Sequence, residues 1–261
     1  MNNRYGSLAA WVYHLDKPIG RSFGDPARSI GDIEFYREGL KGCRGPILEP
    51  AVGNGRVLIP LLEAGHDMHG FDASPEMLDH CRRECAMRGF APVLDLMRFE
   101  DFEAKAAFDA IILPAGSFQL IVDAAVARDV LRRFREALTP SGRLIVDLDP
   151  VSAFGSTADG QRSWRAGEDL LTLQERRLET DAASQTTVSL LTYEHRRHGR
   201  LILAEEELFS LRWWGIAEFE EALGVAGFVD PIVSADYRRG VAPSRDSGSI
   251  TFEARVDRVS P

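Results

Sequence analysis

Short apolar runs alternate with amphipathic stretches through the first 150 residues. Each amphipathic stretch repeats its apolar positions at helical spacing, whereas each apolar run is only a few residues long. Continuous apolar runs are typical of strands covered on both faces, so the alternation predicts a parallel sheet with helices on both sides. The predicted helices lie at residues 31–40, 56–64, 75–88 and 124–138. The predicted strands lie at residues 47–49, 67–71, 92–97, 108–113 and 143–148.

The pattern changes after Pro150. Residues 164–213 contain no helical periodicity, and the strand-like segments 170–173, 187–193 and 201–211 are separated by the polar stretch 180–185 and by Gly199. These segments predict a small antiparallel sheet inserted after the fifth strand. A helix at 216–226 and two final strands at 228–237 and 249–256 are expected to follow.

Composition limits the classes of function. The chain has 261 residues, 44% hydrophobic residues and a formal net charge of −9, which disfavours a nucleic acid partner because phosphates would be repelled. No apolar run reaches the roughly 18 residues that a membrane span needs, and the N-terminus lacks the apolar core of a signal peptide. Three cysteines without framework spacing suit a reducing compartment, so a cytoplasmic location is expected.

Two acids at strand ends carry the first chemical signal. Glu49 ends the first apolar run and precedes a loop that contains Gly53 and Gly55, and Asp72 ends the second apolar run. Glycines let the backbone approach a ligand, and the second acid can accept hydrogen bonds from both hydroxyls of a ribose. The unit therefore predicts a site for an adenosine-bearing cofactor. These residues alone do not identify which cofactor it is.

Five motifs in order resemble the class I S-adenosylmethionine (SAM) methyltransferases, of the bacterial type that acts on small molecules. They lie at residues 48–55, 71–78, 108–112, 138–144 and 219–228. The resemblance implies a Rossmann-like, doubly wound, mostly parallel seven-stranded sheet with an antiparallel last strand, plus the small inserted antiparallel sheet. It also implies an N-terminal helical segment over the cofactor site (1–45), a SAM-binding core (46–150), a lid or dimerisation insertion (151–213) and a C-terminal part of the core (214–261).

The resemblance also implies roles for individual residues. Glu49 would hold the methionine end of SAM, Asp72 would bind the ribose hydroxyls, and Tyr13 would close over the cofactor. The full set implied to bind the cofactor is Tyr13, Glu49, Ala51, Gly53, Gly55, Asp72, Ala73, Met77, Phe99, Pro114 and Ala115. Ala51 replaces a glycine of the family, which a backbone without positive φ would tolerate. Arg98 stands where the family usually has an acid for adenine, so backbone near Phe99, or Glu100 or Asp101, is expected to replace it.

The expected reaction is in-line transfer of a methyl group from SAM to a small-molecule acceptor, with S-adenosyl-L-homocysteine (SAH) as product. An amine or hydroxyl acceptor is favoured. His14 and Asp16 are the candidates for a general base. Ser117, Phe118, Trp164 and Trp213 are the candidates for the acceptor site, and the inserted sheet is the candidate face of a homodimer.

Two alternative functions remain at this point. An NAD(P)-dependent oxidoreductase would use a similar loop, although its third glycine is missing after Gly55. A non-catalytic SAM-binding sensor or partner subunit would use the same motifs. No metal site is expected, because Cys81 and Cys85 lack a converging set of ligands.

Overall fold

The computed structural model describes residues 5–19, 31–155 and 160–256. Within these residues the helices are α1 (Ser7–Asp16), α2 (Asp32–Gly39), α3 (Leu58–Glu63), α4 (Pro75–Met87), α5 (Ala124–Ala137) and α6 (Ile216–Val225). The strands are β1 (Ile47–Pro50), β2 (Met68–Asp72), β3 (Val93–Leu96), β4 (Phe108–Leu113), β5 (Leu138–Leu148), β6 (Gly160–Ala166), β7 (Asp169–Asp181), β8 (Thr186–Arg197), β9 (Arg200–Arg212), β10 (Phe228–Ala235) and β11 (Ile250–Val256).

The main sheet has seven strands in the order β10-β11-β5-β4-β1-β2-β3. Its neighbours from β5 to β3 pair in parallel, whereas β11 is antiparallel to both β5 and β10. This arrangement confirms the Rossmann-like fold with an antiparallel last strand. The chain order reverses between β1 and β4, and ligands of such sheets bind beyond the carboxyl ends of the strands at that reversal.

Local chemistry explains where the elements begin and end. Residues 110–113 of β4 are fully buried, as the apolar run predicts. The Ser74 hydroxyl accepts a hydrogen bond from Met77 N–H at the start of α4, and Pro75 follows at the first helical position. Gly89 and Gly227, both at positive φ, follow α4 and α6.

Two predicted boundaries in the main sheet need correction. The third helix begins at Leu58 rather than at residue 56, because the glycine loop continues to that point. Residues 139–142, which separate the predicted helix at 124–138 from the predicted strand at 143–148, belong to β5. Phe108 pairs with Leu138 and Ala110 pairs with Arg143, so residues 139–142 form a bulge in the ladder rather than a break.

The insertion is a four-stranded antiparallel sheet in the order β6-β7-β8-β9. It confirms the predicted insertion, but with one more strand, β6, and with longer strands than the apolar runs suggested. Polar residues extend the strands because half of each strand faces outward. The turn between β8 and β9 uses left-handed backbone at His198 and Gly199.

Helix α1 connects the inserted sheet to the main sheet. Leu8, Ala9 and Val12 pack against apolar side chains of β7 and β8. At its start, the Ser7 hydroxyl and the Leu8 N–H both donate to the Glu205 carboxylate on β9. A small hydrophobic core therefore joins α1 to one face of the insertion.

No helix in the described residues is sufficiently long and apolar to span a bilayer.

A buried ion pair connects α2 to the loop that precedes α3. Arg56 lies 2.5 Å from the Asp32 carboxylate, and the two side chains are only 4% and 1% exposed. Two charges removed from water at this depth are tolerated only as a pair. The pair therefore fixes the glycine loop against the helical layer below it.

We expect the Arg56→Gln variant to unfold about 3–5 kcal/mol more easily than the wild type, because it leaves the Asp32 carboxylate buried without its counter-charge. Urea denaturation measures the free energy of unfolding. Arg132→Gln is the control: Arg132 pairs with Asp129 and Glu136 on the exposed face of α5, and its loss should leave stability nearly unchanged. Equal effects of the two substitutions would contradict this assignment.

Candidate active site

A cavity of about 640 Å³ opens at the carboxyl ends of β1, β2 and β3. Cavities of this size hold small molecules and nucleotide-like cofactors. Its walls come from the N-terminal segment, from the loops after the three strands and from the segment between β4 and α5. The lining residues are Tyr5, Gly6, Tyr13, Ala51, Gly53, Phe71, Asp72, Ala73, Ser74, Pro75, Glu76, Met77, Met97, Arg98, Phe99, Glu100, Ser117, Leu120, Ile121, Val122, Asp123 and Val126.

Asp72 lies between two loops at the centre of this cavity. One of its oxygens accepts a hydrogen bond from Gly53 N–H at 2.8 Å, and the other accepts one from Ser74 N–H at 2.8 Å. Burial raises the pKa of Asp72, and the backbone donors oppose that shift. Each carboxylate oxygen can accept a second hydrogen bond, so the two ribose hydroxyls of a nucleoside would find acceptors here.

The glycine loop has an unexpected backbone. Ala51 adopts φ of +53°, so the condition under which an alanine would replace the family's glycine without strain is not met. Val52 N–H donates to Phe71 O at 3.0 Å and holds the loop against the end of β2. Only glycine and a few small polar residues adopt this conformation cheaply, so the alanine stores strain beside the cavity.

The two glycines of the loop differ in position. Gly53 lines the cavity, with φ of +56°. A Cβ atom at Gly55 would lie 2.8 Å from the Cys81 sulfur on α4. Gly55 therefore allows the loop to pack on α4 and does not line the cavity.

Glu49 lies below the loop at the end of β1 and is 3% exposed. Burial raises the pKa of its carboxyl well above the usual range, while Arg56 lowers it and Asp72 raises it further. No described residue hydrogen bonds to its Oε2. A buried acceptor without a partner is costly, and the ammonium of a bound amino acid would satisfy it. Glu49 is not among the residues that line the cavity, and its role at the methionine end of SAM stays a prediction.

The far end of the cavity is apolar except for Arg98 and Glu100. Phe99 contacts Phe71 with 5.9 Å between ring centroids, and Met77 lies almost fully buried at the cavity wall. The predicted departure at Arg98 is present, since its side chain lines the cavity where an acid was expected. The apolar side chains of Phe71, Met77 and Phe99 in this wall suit an adenine ring.

Pro114 and Ala115 lie beside the cavity rather than in its lining. Ala115 has φ of +54°, and its N–H donates to the Asp147 carboxylate at 3.2 Å. Burial raises the pKa of Asp147 to about 6, although hydroxyls of Thr251 and Tyr237 also donate to it. Asp147 therefore holds the strained turn after β4 in place.

A second, smaller cavity of about 120 Å³ lies between α1 and the inserted sheet. Tyr5 and Tyr13 line both cavities, and their rings meet edge to face at 5.5 Å. The other lining residues are Ala9, Val12, Asp16, Lys17, Arg162, Leu173, Glu175, Leu191, Tyr193 and Phe209. Two tyrosines thus lie between the two cavities, and the smaller cavity combines apolar side chains with four charged ones.

The two base candidates lie in different places. Asp16 lines the small cavity and pairs with Arg162 at 2.8 Å. His14 stacks on His80 of α4 at 4.8 Å and lines neither cavity in the described part of the chain. The helical spacing turns His14 away from the side of α1 that carries Tyr13. His14, one of the two candidates for the general base, therefore lies outside both cavities.

The structure brings one of the four acceptor-site candidates to a cavity. Ser117 lines the large cavity, whereas Phe118 is fully buried against Trp214 and Phe219. Trp213 packs on Phe154 at 5.7 Å. Trp164 packs against the core under α1, with Arg162 over its ring. Phe118, Trp164 and Trp213 therefore line neither cavity: Phe118 is a core residue, and the two tryptophans are half-buried packing residues.

Several residues of the small cavity were missed from the sequence. Glu175 continues the alternating stripe of Leu171 and Leu173 on β7, and Tyr193 follows Leu191 on β8. A polar side chain that ends an apolar stripe on one strand face was the available signal. Nothing in the sequence indicated that α1 would cover that face.

No group of three or more His, Cys, Asp or Glu side chains suitable for a metal occurs within residues 5–19, 31–155 and 160–256. Cys81 and Cys85 are buried on α4, where they pack in the core beneath the glycine loop.

Comparison with known proteins agrees with this geometry. A sequence model of the family described as a methyltransferase domain matches residues 47–142. The chain is 24% identical over 83% of its length to the putative methyltransferase YqeM of Bacillus subtilis (strain 168), of which it covers 86%. It is 35% identical over 46% of its length to glycine/sarcosine N-methyltransferase of Halorhodospira halochloris, and it spans about half of that relative, 46%.

Solved structures share the fold. A SAM-dependent methyltransferase from Clostridium acetobutylicum ATCC 824 superposes with a TM-score of 0.71 at 15% identity, over 86% of this chain and 90% of that one. The sugar N-methyltransferase KedS8 from Streptoalloteichus sp ATCC 53650 superposes with a TM-score of 0.70 at 20% identity, over 91% and 95%.

Arg56, Val57 and Leu58 follow Gly55, so the loop lacks the third glycine of an oxidoreductase fingerprint, and the matched domain includes the whole glycine loop. Residues 47–142 therefore match a methyltransferase domain, and the seven-stranded sheet has the fold of SAM-dependent methyltransferases, so the findings together indicate a SAM-dependent methyltransferase.

Proposed function

We propose that the protein transfers a methyl group from SAM in the large cavity to a small amine in the cavity beneath α1. The observation that carries this proposal is the shared wall of Tyr5 and Tyr13. A donor and an acceptor held on either side of one wall need only a small opening to meet in line. The N-methyltransferase names of the Halorhodospira relative and of KedS8 support nitrogen as the acceptor atom.

The lining of the small cavity favours an amine with other polar groups. Asp16 and Glu175 are carboxylates, and Arg162 is a cation already paired with Asp16. A volume of about 120 Å³ corresponds to roughly four water molecules at about 30 Å³ each. It therefore suits the reacting end of an amino acid or amino sugar better than a protein or a nucleic acid segment.

When bound, SAM supplies an activated methyl group. Glu49 would accept a hydrogen bond from the ammonium of its methionine part, and Asp72 would bind the ribose hydroxyls. Tyr13 would cover the methyl end and exclude water, since its ring lies beside Gly53 and burial raises its pKa to about 12. A neutral, buried phenol does not compete as a nucleophile.

We also propose that two copies of the chain associate through the inserted sheet. Strand β9 is an edge strand, and Leu201, Ile202 and Leu203 are 50%, 57% and 44% exposed on it. An exposed apolar edge strand is a template for pairing with another strand.

The division of the chain at residues 45, 150 and 213 stays a prediction. A cytoplasmic location also stays a prediction, supported by three free cysteines.

For the dimer, we expect sedimentation velocity to show a two-chain species for the wild type and one chain for Ile202→Asp, because the charge would face the partner strand. Val225→Asp, at an even more exposed apolar site on α6, is the control and should leave the dimer intact. A wild-type protein that sediments as a monomer would contradict the proposal.

For the cofactor, we expect Asp72→Asn to weaken SAH binding by at least about tenfold, since an amide nitrogen cannot accept the ribose and backbone hydrogen bonds. Calorimetric titration measures the affinity. Asp95→Asn, on the exposed surface of β3, is the control and should bind SAH like the wild type. Unchanged affinity in Asp72→Asn would exclude Asp72 from the ribose site.

For the acceptor, SAH formation should be measured with matched pairs: glycine and glycolate, ethanolamine and ethylene glycol, glucosamine and glucose. We expect turnover with an amine and none with its hydroxyl partner. Glu175→Gln should raise KM for that amine about tenfold or more, because it removes a charge-assisted hydrogen bond. Glu179→Gln, exposed on the same strand, is the control. Turnover of the hydroxyl compounds alone would overturn the amine assignment.

A further inference from the structure

Lysine is rare in this chain, and one lysine lies at the junction of the two cavities. Of 31 lysines and arginines, only Lys17, Lys41 and Lys105 are lysines. Lys17 follows the last residue of α1 and lines the small cavity. Its ammonium lies 4.6 Å from the ring centre of Tyr13, the residue that also lines the large cavity. An arginine could not lose its proton at this position, whereas a lysine can.

The backbone of Lys17 is fixed to the glycine loop. The buried Asn54 side chain donates to Lys17 O at 3.0 Å, and Lys17 N–H donates to Tyr13 O at 2.8 Å. Asn54 also accepts from Arg56 N–H, so the contact belongs to the same loop that lines the SAM cavity. The position of Lys17 is therefore tied to the methyl end of the proposed donor site.

Charged groups surround Lys17 from four elements. Asp16 ends α1, Asp149 follows β5, Arg56 precedes α3 and Arg162 lies on β6. Burial lowers the pKa of Lys17 to about 8; Arg56 and Arg162 lower it further, while Asp16 and Asp149 raise it. Asp149 lies close to Gly116, in the turn after β4. Lys17 thus has access to its neutral form near physiological pH.

We propose that the amine of Lys17 is the general base that removes a proton from the ammonium of the acceptor. The proposal rests on the proposed function, because it assigns the proton acceptor for an amine in the small cavity. Asp16 also lines the small cavity but is paired with Arg162, and His14 stacks on His80 and lines neither cavity.

The proposed reaction moves one proton to Lys17 and one methyl group to the acceptor nitrogen. A primary alkyl amine, with an ordinary pKa near 10.4, arrives as an ammonium and has no lone pair to react. Neutral Lys17 accepts one proton from it. The freed lone pair of the acceptor nitrogen forms a bond to the methyl carbon, and the methyl–sulfur bond breaks with its electron pair left on sulfur. The products are SAH and a secondary ammonium, and Lys17 returns its proton to solvent.

The first test measures the titration of Lys17 without an acceptor. In protein labelled with ¹³C lysine and saturated with SAH, three lysine side chains give resolvable signals, and Lys17→Arg and Lys41→Arg assign two of them. We expect Lys17 to titrate with a midpoint near 8. A midpoint for Lys17 above 10 in the SAH complex would overturn the proposal.

The second test separates this proposal from the proposed function. With glycine, ethanolamine or glucosamine at saturation, kcat of the wild type should rise with pH to a plateau above about pH 8. Lys17→Arg should lose about 100-fold in kcat and lose that inflection, with SAH affinity within twofold of wild type. Lys41→Arg should behave as wild type. Equal kcat in Lys17→Arg overturns the base. Absence of turnover in every form contradicts the proposed function, and the titration then still decides the base.

Discussion

The structure depends on how α1 is fixed between its neighbours. Asn54 of the glycine loop binds the carbonyl of Lys17 at its end, and the Ser74 hydroxyl binds the carbonyl of Tyr5 just before its start. Asp72 joins these two loops by accepting from Gly53 and Ser74 N–H. The helix is therefore fixed at both ends to the loops of the cofactor site. Because Glu205 and Arg162 of the inserted sheet bind the same helix, both cavities form along its two sides.

The shifted pKa values in the site arise because ionisable side chains are buried without a full set of hydrogen-bonding or charged partners. Burial raises the pKa values of the Glu49 and Asp72 carboxyls. Arg56 pairs with the Asp32 carboxylate and also lowers the pKa of Glu49. Such an arrangement is costly in the free protein, and a ligand with an ammonium, two hydroxyls and a sulfonium supplies the missing partners. The same reasoning applies to Lys17, whose burial favours the neutral form. The site is thus poised for a cationic donor and a deprotonated acceptor.

Much of the sheet could be predicted because its signals are local. The apolar run at 108–113 is β4 to the residue, and the Ser74-Pro75 start of α4 needs only its own sequence. Contacts distant in sequence could not be predicted: Ser7 with Glu205, Asp16 with Arg162, and Ala51 at positive φ. Helical periodicity alone did not reveal which side of α1 faces the cavities. For this reason the sequence did not show that Asp16 lines the small cavity whereas His14 does not. It also did not show that Lys17 and Glu175 line the same cavity.

A crystal structure of the complex with SAH tests the central claim most directly. The account predicts the adenosine in the large cavity, with Asp72 bonded to the ribose hydroxyls, the ammonium within hydrogen-bond distance of Glu49 Oε2 and the sulfur directed toward Tyr13. It also predicts that the cavity beneath α1 stays open next to the sulfur. SAH bound elsewhere, or a sulfur directed away from Tyr13 and Lys17, would contradict it.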